Sequence, residues 1–386
     1  MENDKHCLII HIGTHKTGNT ALQIFLMKNA EQLRKYGILY PDLVKTWQKY
    51  RGIEASSYVN GKLLQSSITR NWPEKEKENL WKILRHYLKN YDVVLSDPAI
   101  WSHRSINTVE AIKDYAKRYD NIKLVVYFRR QDLYIESLWN EFIKEGHMTD
   151  TLNDYIEKSH YVMDYNRKLN DIASVIGKEN ISVRIYERGQ FAGERGDITS
   201  DFLKTLGKIR GELPETWEHI KMPGMVNPRL DGDMLMARLY FNQAYGDEAE
   251  YQGEEIKKHF MNANYDADKK YGYLTKEQRE KIMREYEEGN REIAINYLGR
   301  ENGVLFYDEN FEYPLYCNNI TERERYIIKV LGELSAKQNA DLRKANDWRY
   351  ELMQGLNVSK KIAGRVMRKT FSPIAFHMLN RWKMEE

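Results

Sequence analysis

The stretch that most constrains the fold is a strand, a glycine-bearing loop and a helix at residues 8–33. A short apolar run, Leu8–Ile12, is typical of a buried β-strand and leads through Gly13 and a polar loop to Gly18. Apolar residues then recur at helical spacing: Leu22, Phe25, Leu26 and Leu33. In such a turn, unpaired backbone N–H groups and the positive end of the helix dipole converge. The sequence therefore predicts a site for a phosphate- or sulfate-type anion.

The loop is close to a nucleotide-binding P-loop and departs from it in one respect. Gly13 and Gly18 fit the G-x-x-x-x-G spacing, but Asn19-Thr20 follows where a P-loop NTPase has Lys-Ser or Lys-Thr. The lysine lies inside the loop instead, as Lys16. A phosphate cradle is predicted, whereas contacts to a γ-phosphate and its Mg²⁺ are not. An ordinary strand-to-helix turn with an exposed lysine is the simpler alternative.

Three further apolar runs alternate with amphipathic helical patterns. The runs are residues 92–96, 122–128 and 181–186. This alternation predicts an α/β fold with a central parallel sheet flanked by helices. Ligands of such sheets bind beyond the carboxyl ends of the strands. Four segments are predicted to meet there: residues 13–20, Asp97, Arg129 and 186–188.

Composition limits the class of protein. Apolar residues make up 41% of the chain and charged residues 30%, so a large core and a polar surface are both expected. The net charge of +3 does not indicate a nucleic-acid partner. Cys7 and Cys317 give neither a disulfide framework nor a metal-ligand spacing, and no metal is expected. With no signal-peptide pattern and no apolar run long enough for a membrane span, a cytoplasmic protein is expected.

Two motifs resemble those of sulfotransferases that use 3′-phosphoadenosine-5′-phosphosulfate (PAPS), in particular the bacterial carbohydrate-type members. Residues 11–23 are similar to the 5′-phosphosulfate loop of that family. Residues 126–132, with Ser137 eight positions after Arg129, resemble its 3′-phosphate motif. Two weaker matches are Tyr186-Glu187, similar to the strand end near the adenine, and residues 290–306, similar to the C-terminal part of bacterial members.

The resemblance implies a P-loop-like sulfotransferase fold, no metal, and a set of donor-binding residues. These are His15, Lys16, Thr17, Gly18, Asn19, Thr20, Arg129, Ser137 and Tyr186. Lys16 is implied to stabilise charge on the bridging oxygen of the leaving phosphate. Arg129, with Ser137, is implied to hold the 3′-phosphate. Asn19 replaces the usual threonine of the family, and its amide can still donate a hydrogen bond.

The general base stays open among several residues. An acceptor hydroxyl needs a proton acceptor within hydrogen-bond reach of the attacking oxygen. The resemblance implies a histidine or a glutamate, often just after the second strand, where this chain has Asp97. Asp97 is the first candidate, His103 in the same loop is the second, and residues elsewhere, including His15, are further ones.

The predicted activity is sulfuryl transfer from PAPS to a hydroxyl or amine, with a carbohydrate or glycan as the expected acceptor. One alternative is a P-loop kinase or nucleotide hydrolase, because residues 93–97 are similar to a Walker-B strand. Another is a non-catalytic glycan-binding protein on the same fold.

We predict a sulfotransferase domain at residues 1–310, with an acceptor-side cap at 190–275, and a helical, basic extension at 311–386. Within them, one helix is predicted over residues 275–297 and a long one over 321–353. The basic stretch 358–383 is interpreted either as a contact to a membrane surface or acidic glycan, or as a solvated helix on its own domain.

Overall fold

A computed structural model of the chain describes most of its residues. The described ranges are 6–43, 59–102, 108–211, 213, 220–223, 229–246, 254–264, 270–307 and 313–355. His103 and the basic stretch 358–383 lie outside them, so both predictions stay open.

Five parallel strands form one sheet in the order β2-β3-β1-β4-β5. The strands are β1 Leu8–His11, β2 Ile38–Leu39, β3 Asp92–Ser96, β4 Ile122–Phe128 and β5 Ile181–Ile185. Ile10 of β1 pairs with Leu95 of β3 on one side and with Leu124 of β4 on the other. Because β1 is central, the loop after it lies between the carboxyl ends of β3 and β4. The predicted parallel α/β sheet is confirmed.

Helices connect and flank the strands. They are α1 Asn19–Lys28, α2 Ala30–Lys35, α3 Lys62–Thr69, α4 Glu74–Tyr87, α5 Ala99–Ser102, α6 Thr108–Arg118, α7 Gln131–Glu145, α8 Leu152–Glu157, α9 His160–Met163, α10 Tyr165–Ile176, α11 Ile198–Arg210, α12 Gly232–Tyr245, α13 Glu254–Asn262, α14 Lys276–Glu285, α15 Glu287–Leu298 and α16 Glu322–Gly355. No helix in these described ranges is long and apolar enough to cross a membrane.

The single helix predicted over 275–297 is wrong, because the chain forms α14 and α15 with a break at Tyr286. The ring of Tyr286 is buried in the core, and its hydroxyl lies 2.9 Å from His160 Nδ1. The break thus coincides with a buried tyrosine. The predicted start is right, since the Thr275 hydroxyl accepts a hydrogen bond from Gln278 N as the helix cap.

Alternating residues of the strands build two apolar layers. Ile9 of β1 faces α1, α2 and α11, and packs in one cluster with Phe25 and Phe202. Leu8 and Ile10 face the opposite layer, which contains α4, α6, α7 and α10. Helix α11 is therefore part of a sheet-flanking layer, although residues 190–275 were predicted to form a cap.

The chain divides into two compact units, residues 1–239 with 252–320, and residues 240–251 with 321–386. Residues 313–318 belong to the first unit because Tyr316 N donates to Gly272 O at 2.8 Å, and the Tyr316 hydroxyl donates to Asp233 at 2.6 Å. The second unit includes the chain from residue 321 onward, and the extension predicted at 311–386 stays a prediction. In the second unit, Gly332 of α16 packs closely on Ala244 of α12.

Candidate functional site

The loop after β1 is fixed by β4 and by its own side chains. Thr14 donates to Tyr127 O from its backbone N at 2.9 Å and from its hydroxyl at 3.1 Å. The Thr17 hydroxyl and the Asn19 amide each donate to Thr14 O at 2.7 Å. Thr17 and Asn19 are buried, and their side chains serve the loop itself. The backbone of the loop and the side chains of the residues between Thr14, Thr17 and Asn19 are left to face outward.

Helix α1 begins directly at this loop, with Gly18 as its N-cap residue. Among the described residues, no side chain caps the helix, and its first turn contains no acidic residue. The N–H groups of an uncapped first turn attract an anion, together with about half a positive charge from the helix dipole. The backbone thus has the uncapped helix N-terminus that the predicted anion site requires, and anion binding there stays a prediction.

Position 18 requires glycine for two reasons, the backbone conformation of this residue and the lack of space for a side chain. Its φ of +74° lies in the left-handed region, and a Cβ there would lie 3.2 Å from the ring of Tyr186 and 3.3 Å from Ile198 Cγ2. Tyr186 follows β5, and its backbone N donates to Phe128 O at 2.7 Å. The sheet thereby places a half-buried tyrosine ring directly against the loop.

Lys16 lies at the outer part of the loop with its own φ at +61°. Its Nζ lies 3.1 Å from Glu141 Oε2 on α7, and the same oxygen lies 2.7 Å from Nζ of the buried Lys144. Burial holds the pKa of Lys16 below its usual range, while Glu141 acts in the opposite direction. Sequence reasoning missed Glu141, since a charged residue in an amphipathic helix gives no signal of its tertiary partner.

Arg129 follows β4 and reaches back to the loop. Its Nη1 donates to Lys16 O at 3.2 Å, and its own carbonyl accepts from the Tyr165 hydroxyl at 2.8 Å. Burial lowers the pKa of Arg129, but a guanidinium stays protonated at any physiological pH. Ser137 lies two turns along α7 and is partly buried.

Asp97 follows β3, 2% exposed. Its Oδ1 accepts from Ala99 N at 3.0 Å, and no group in the described ranges hydrogen-bonds to its Oδ2. Burial raises the pKa of Asp97 from 3.8 to about 6, and the nearby charge of Lys62 opposes that shift. A carboxylate with one open oxygen and a pKa near neutrality can accept a proton. The position fits the first candidate for the general base.

A segment before α3 is bound to the same strand end. Asn60 accepts from Ser96 N at 2.8 Å and donates to Val94 O at 2.9 Å. Gly61 approaches so closely that a Cβ would lie 2.9 Å from Asp97 Cβ. Asn-Gly is a turn signal in the sequence, but no local pattern shows that this turn lies against residue 97. Sequence reasoning therefore missed Gly61 and the neighbouring Lys62.

These elements enclose a cavity of about 630 Å³. Its wall contains eight of the predicted residues: His15, Lys16, Gly18, Asn19, Thr20, Asp97, Arg129 and Tyr186. Thr17 and Ser137 are outside this lining, within the part of the chain that the structure describes. Residues that sequence analysis did not select complete the wall, among them Lys62, Glu141, Phe142, Glu145 and His147. No group of three or more His, Cys, Asp or Glu side chains in the described ranges is placed to hold a metal ion.

No family model matches this sequence. A protein of Archaeoglobus fulgidus, described only as "Uncharacterized protein", is 28% identical over 198 residues, which is 50% of this chain and 50% of that protein. The match thus spans about half the length of this curated relative.

Solved structures with similarity to the chain include two sulfotransferases. A sulfotransferase from Alicyclobacillus acidocaldarius is 12% identical, with a TM-score of 0.33, covering 66% of this chain and 96% of that one. A sulfotransferase domain from the curacin biosynthetic pathway is 12% identical, with a TM-score of 0.35, covering 72% and 97%. We therefore base the proposed function on the residues that line the cavity.

Proposed function

We propose that this chain is a sulfotransferase that moves the sulfuryl group of PAPS to a hydroxyl or amine of an acceptor, with a carbohydrate or glycan as the expected class. One observation carries the proposal. A single cavity is lined by the uncapped N-terminus of α1, by the cations Lys16 and Arg129, and by Asp97, whose buried Oδ2 has no hydrogen-bond partner among the described residues. Two cations with a backbone cradle suit a donor that bears phosphate at both ends.

The donor end of the cavity fits a doubly phosphorylated adenosine. The N–H groups at the start of α1 suit the 5′-phosphosulfate, with Lys16 beside it to stabilise charge on the bridging oxygen as the S–O bond breaks. The guanidinium of Arg129 suits the separate 3′-phosphate because it offers forked donors and a permanent charge. The ring of Tyr186 is an apolar surface next to the loop, suited to the nucleoside.

The acceptor end fits a group that must lose a proton. In sulfuryl transfer the acceptor oxygen forms a bond to sulfur, the bridging oxygen leaves with its electron pair, and the acceptor proton goes to a base. Asp97 belongs to the cavity wall, and its buried Oδ2 has no hydrogen-bond donor among the described residues. We assign this oxygen as the proton acceptor.

The position of Asn19 and its hydrogen bond within the loop disfavour the P-loop hydrolase alternative. This residue stands where a P-loop NTPase has its phosphate-binding lysine. Its amide donates to Thr14 O at 2.7 Å, so its side chain is engaged in holding the loop. The cation that the loop itself supplies is Lys16, in the middle of the loop.

The test is transfer of labelled sulfate from PAPS to a panel of glycans, phenols and lipids, with EDTA present throughout. Calorimetry with adenosine 3′,5′-bisphosphate, the spent donor, measures the donor site separately, and AMP and ATP serve as comparisons. Tight binding of the bisphosphate with transfer in EDTA supports the proposal. Preference for ATP with Mg²⁺, or binding of none of the three nucleotides, would refute it.

A further inference from the structure

We propose that the acceptor carries an anionic group, a carboxylate or a phosphate, close to the hydroxyl that is sulfated, and that Lys62 binds this group. The inference rests on the proposed function and adds the class of acceptor.

Lys62 is held beside the proposed base by the backbone around it. It is the first residue of α3, directly after Gly61, whose N donates to Ser96 O at 3.2 Å. The absent side chain of Gly61 lets α3 begin against Asp97, where any Cβ would collide. Lys62 and Asp97 both belong to the wall of the cavity.

Among the described residues, Lys62 differs from the other lysines near the cavity in forming no salt bridge. Lys16 and Lys144 lie within 3.1 Å and 2.7 Å of Glu141, and Lys257 lies 2.9 Å from Glu145. Among the described side chains, no carboxylate lies within ion-pair distance of Lys62 Nζ. Within the described part of the chain, Lys62 is thus a cation of the cavity wall that forms no salt bridge, and its charge acts on the nearby carboxyl of Asp97.

The position of Lys62 in its helix argues that the charge has a role other than stability. A cation at a helix N-terminus is opposed by the helix dipole, and the first turn of α3 contains no acidic residue to offset it. The same dipole adds to the attraction that Lys62 exerts on an anion.

Asp97 gives the second half of the recognition. Its buried Oδ2 has no hydrogen-bond partner among the described residues, so a hydrogen bond from the attacking hydroxyl would satisfy it. A molecule that fills both positions has a hydroxyl and an anionic substituent a few ångströms apart. Uronic acids and sugar phosphates have this chemistry.

The experiment compares acceptors that differ only in charge. A glucuronate-containing polysaccharide is paired with its carboxyl-reduced form, and a phosphorylated oligosaccharide with its dephosphorylated form. With the full-length wild-type protein, we expect the KM to be about tenfold or more lower for the charged member of at least one pair, and the pair that responds identifies the anion. In Lys62→Gln this ratio should approach one, and Lys62→Arg should restore much of it.

Three results would overturn the inference. Equal KM values within both pairs for the wild type would show that the protein does not recognise an anionic group on the acceptor. A shift of the pH–rate profile in Lys62→Gln that is the same for charged and neutral members would show that Lys62 acts only on Asp97. Weaker binding of adenosine 3′,5′-bisphosphate by Lys62→Gln would place Lys62 in the donor site. In each of these cases, donor binding and sulfate transfer by the wild type still test the proposed function separately.

Discussion

Arg129 Nη1 donates a hydrogen bond to the carbonyl oxygen of Lys16 at 3.2 Å. The two cationic motifs, separated by 113 positions in the sequence, are therefore in direct contact. The contact follows from sheet order, since β1 and β4 are neighbours and both motifs follow their carboxyl ends. Arg129 therefore supports the loop that carries Lys16, in addition to its proposed role as a cation for a phosphate of the donor.

Replacing Lys16 by alanine should lower kcat by about 10²-fold or more, because charge on the leaving oxygen loses its cation. Binding of adenosine 3′,5′-bisphosphate should change much less than kcat. Steady-state kinetics and calorimetry measure the two effects. Lys28→Ala is the matched control, since Lys28 lies on α1 and its Nζ contacts only the exposed Met222 carbonyl, at 3.5 Å, in the described part of the chain. Near-normal kcat in Lys16→Ala would remove this lysine from the reaction.

Replacing Arg129 by alanine should weaken binding of adenosine 3′,5′-bisphosphate by roughly 2–5 kcal/mol, as expected for loss of a desolvated charge pair. AMP lacks the 3′-phosphate, so its affinity should fall far less, and the preference for the bisphosphate over AMP should collapse. Calorimetry with both nucleotides measures this preference. Arg129→Lys should recover part of this preference, since a lysine keeps the positive charge but lacks the forked N–H donors of a guanidinium. An unchanged preference would show that the 3′-phosphate lies elsewhere.

Activity should depend on ionised Asp97. With a pKa of about 6 in the free enzyme, kcat/KM should fall as pH decreases through 6, because the protonated carboxyl cannot accept a proton. Asp97→Asn should lower kcat by at least about 10²-fold at every pH. The fall of kcat/KM at acidic pH, the acid limb of the pH–rate profile, should be absent in this variant. A profile that keeps its acid limb in Asp97→Asn would assign the base to another residue.

The same shift predicts an effect on stability with a defined sign. The folded state holds the Asp97 proton up to a higher pH than the unfolded chain, with a pKa of about 6 against 3.8. The contribution of Asp97 to the free energy of unfolding therefore decreases as pH rises from about 4 to 6 and stays low above it. Asp97→Asn should be more stable than wild type at pH 7 by about 1–3 kcal/mol, a gain that should vanish below pH 4. Urea denaturation at pH 7 and at pH 3.5 measures it, and a destabilised variant at pH 7 would contradict the buried, unpaired carboxylate.

Replacing Gly18 by alanine should destabilise the protein by about 1–2 kcal/mol for the left-handed backbone, with an additional loss from the contact with Tyr186. Gly196→Ala is a matched control, because Gly196 also has a positive φ, of +56°, and a Cβ there would have nothing within 4 Å. Chemical denaturation gives the free energy of unfolding of each variant, and the difference between the two values is the contribution of the contact with Tyr186. Equal effects would mean that Tyr186 is not held against the loop.

Long-range pairs show where sequence reasoning reached its limit. Gln131 and Asn290 exchange two hydrogen bonds, at 2.7 Å and 3.1 Å, and both are buried. Glu187 accepts from the backbone N of Tyr307 at 3.1 Å. These contacts join residues 126–132 and the Tyr186-Glu187 strand end to the C-terminal stretch 290–306 and to Tyr307, which directly follows it. The sequence showed each motif, but a reciprocal amide pair across 159 positions leaves no local pattern.

The sequence by itself determined four of the five strands, the helix that begins after Gly18, and the segments that follow these strands at one edge. Apolar periodicity and glycine positions are local signals, and the direction of parallel strands converts them into a shared site. Only the tertiary structure decided that α11 flanks the sheet, that Tyr286 divides a predicted helix, and that Glu141 and Lys62 lie at the cavity. Their positions depend on which surfaces pack together, and a charged side chain in an amphipathic helix carries no information about the partner it meets across the fold.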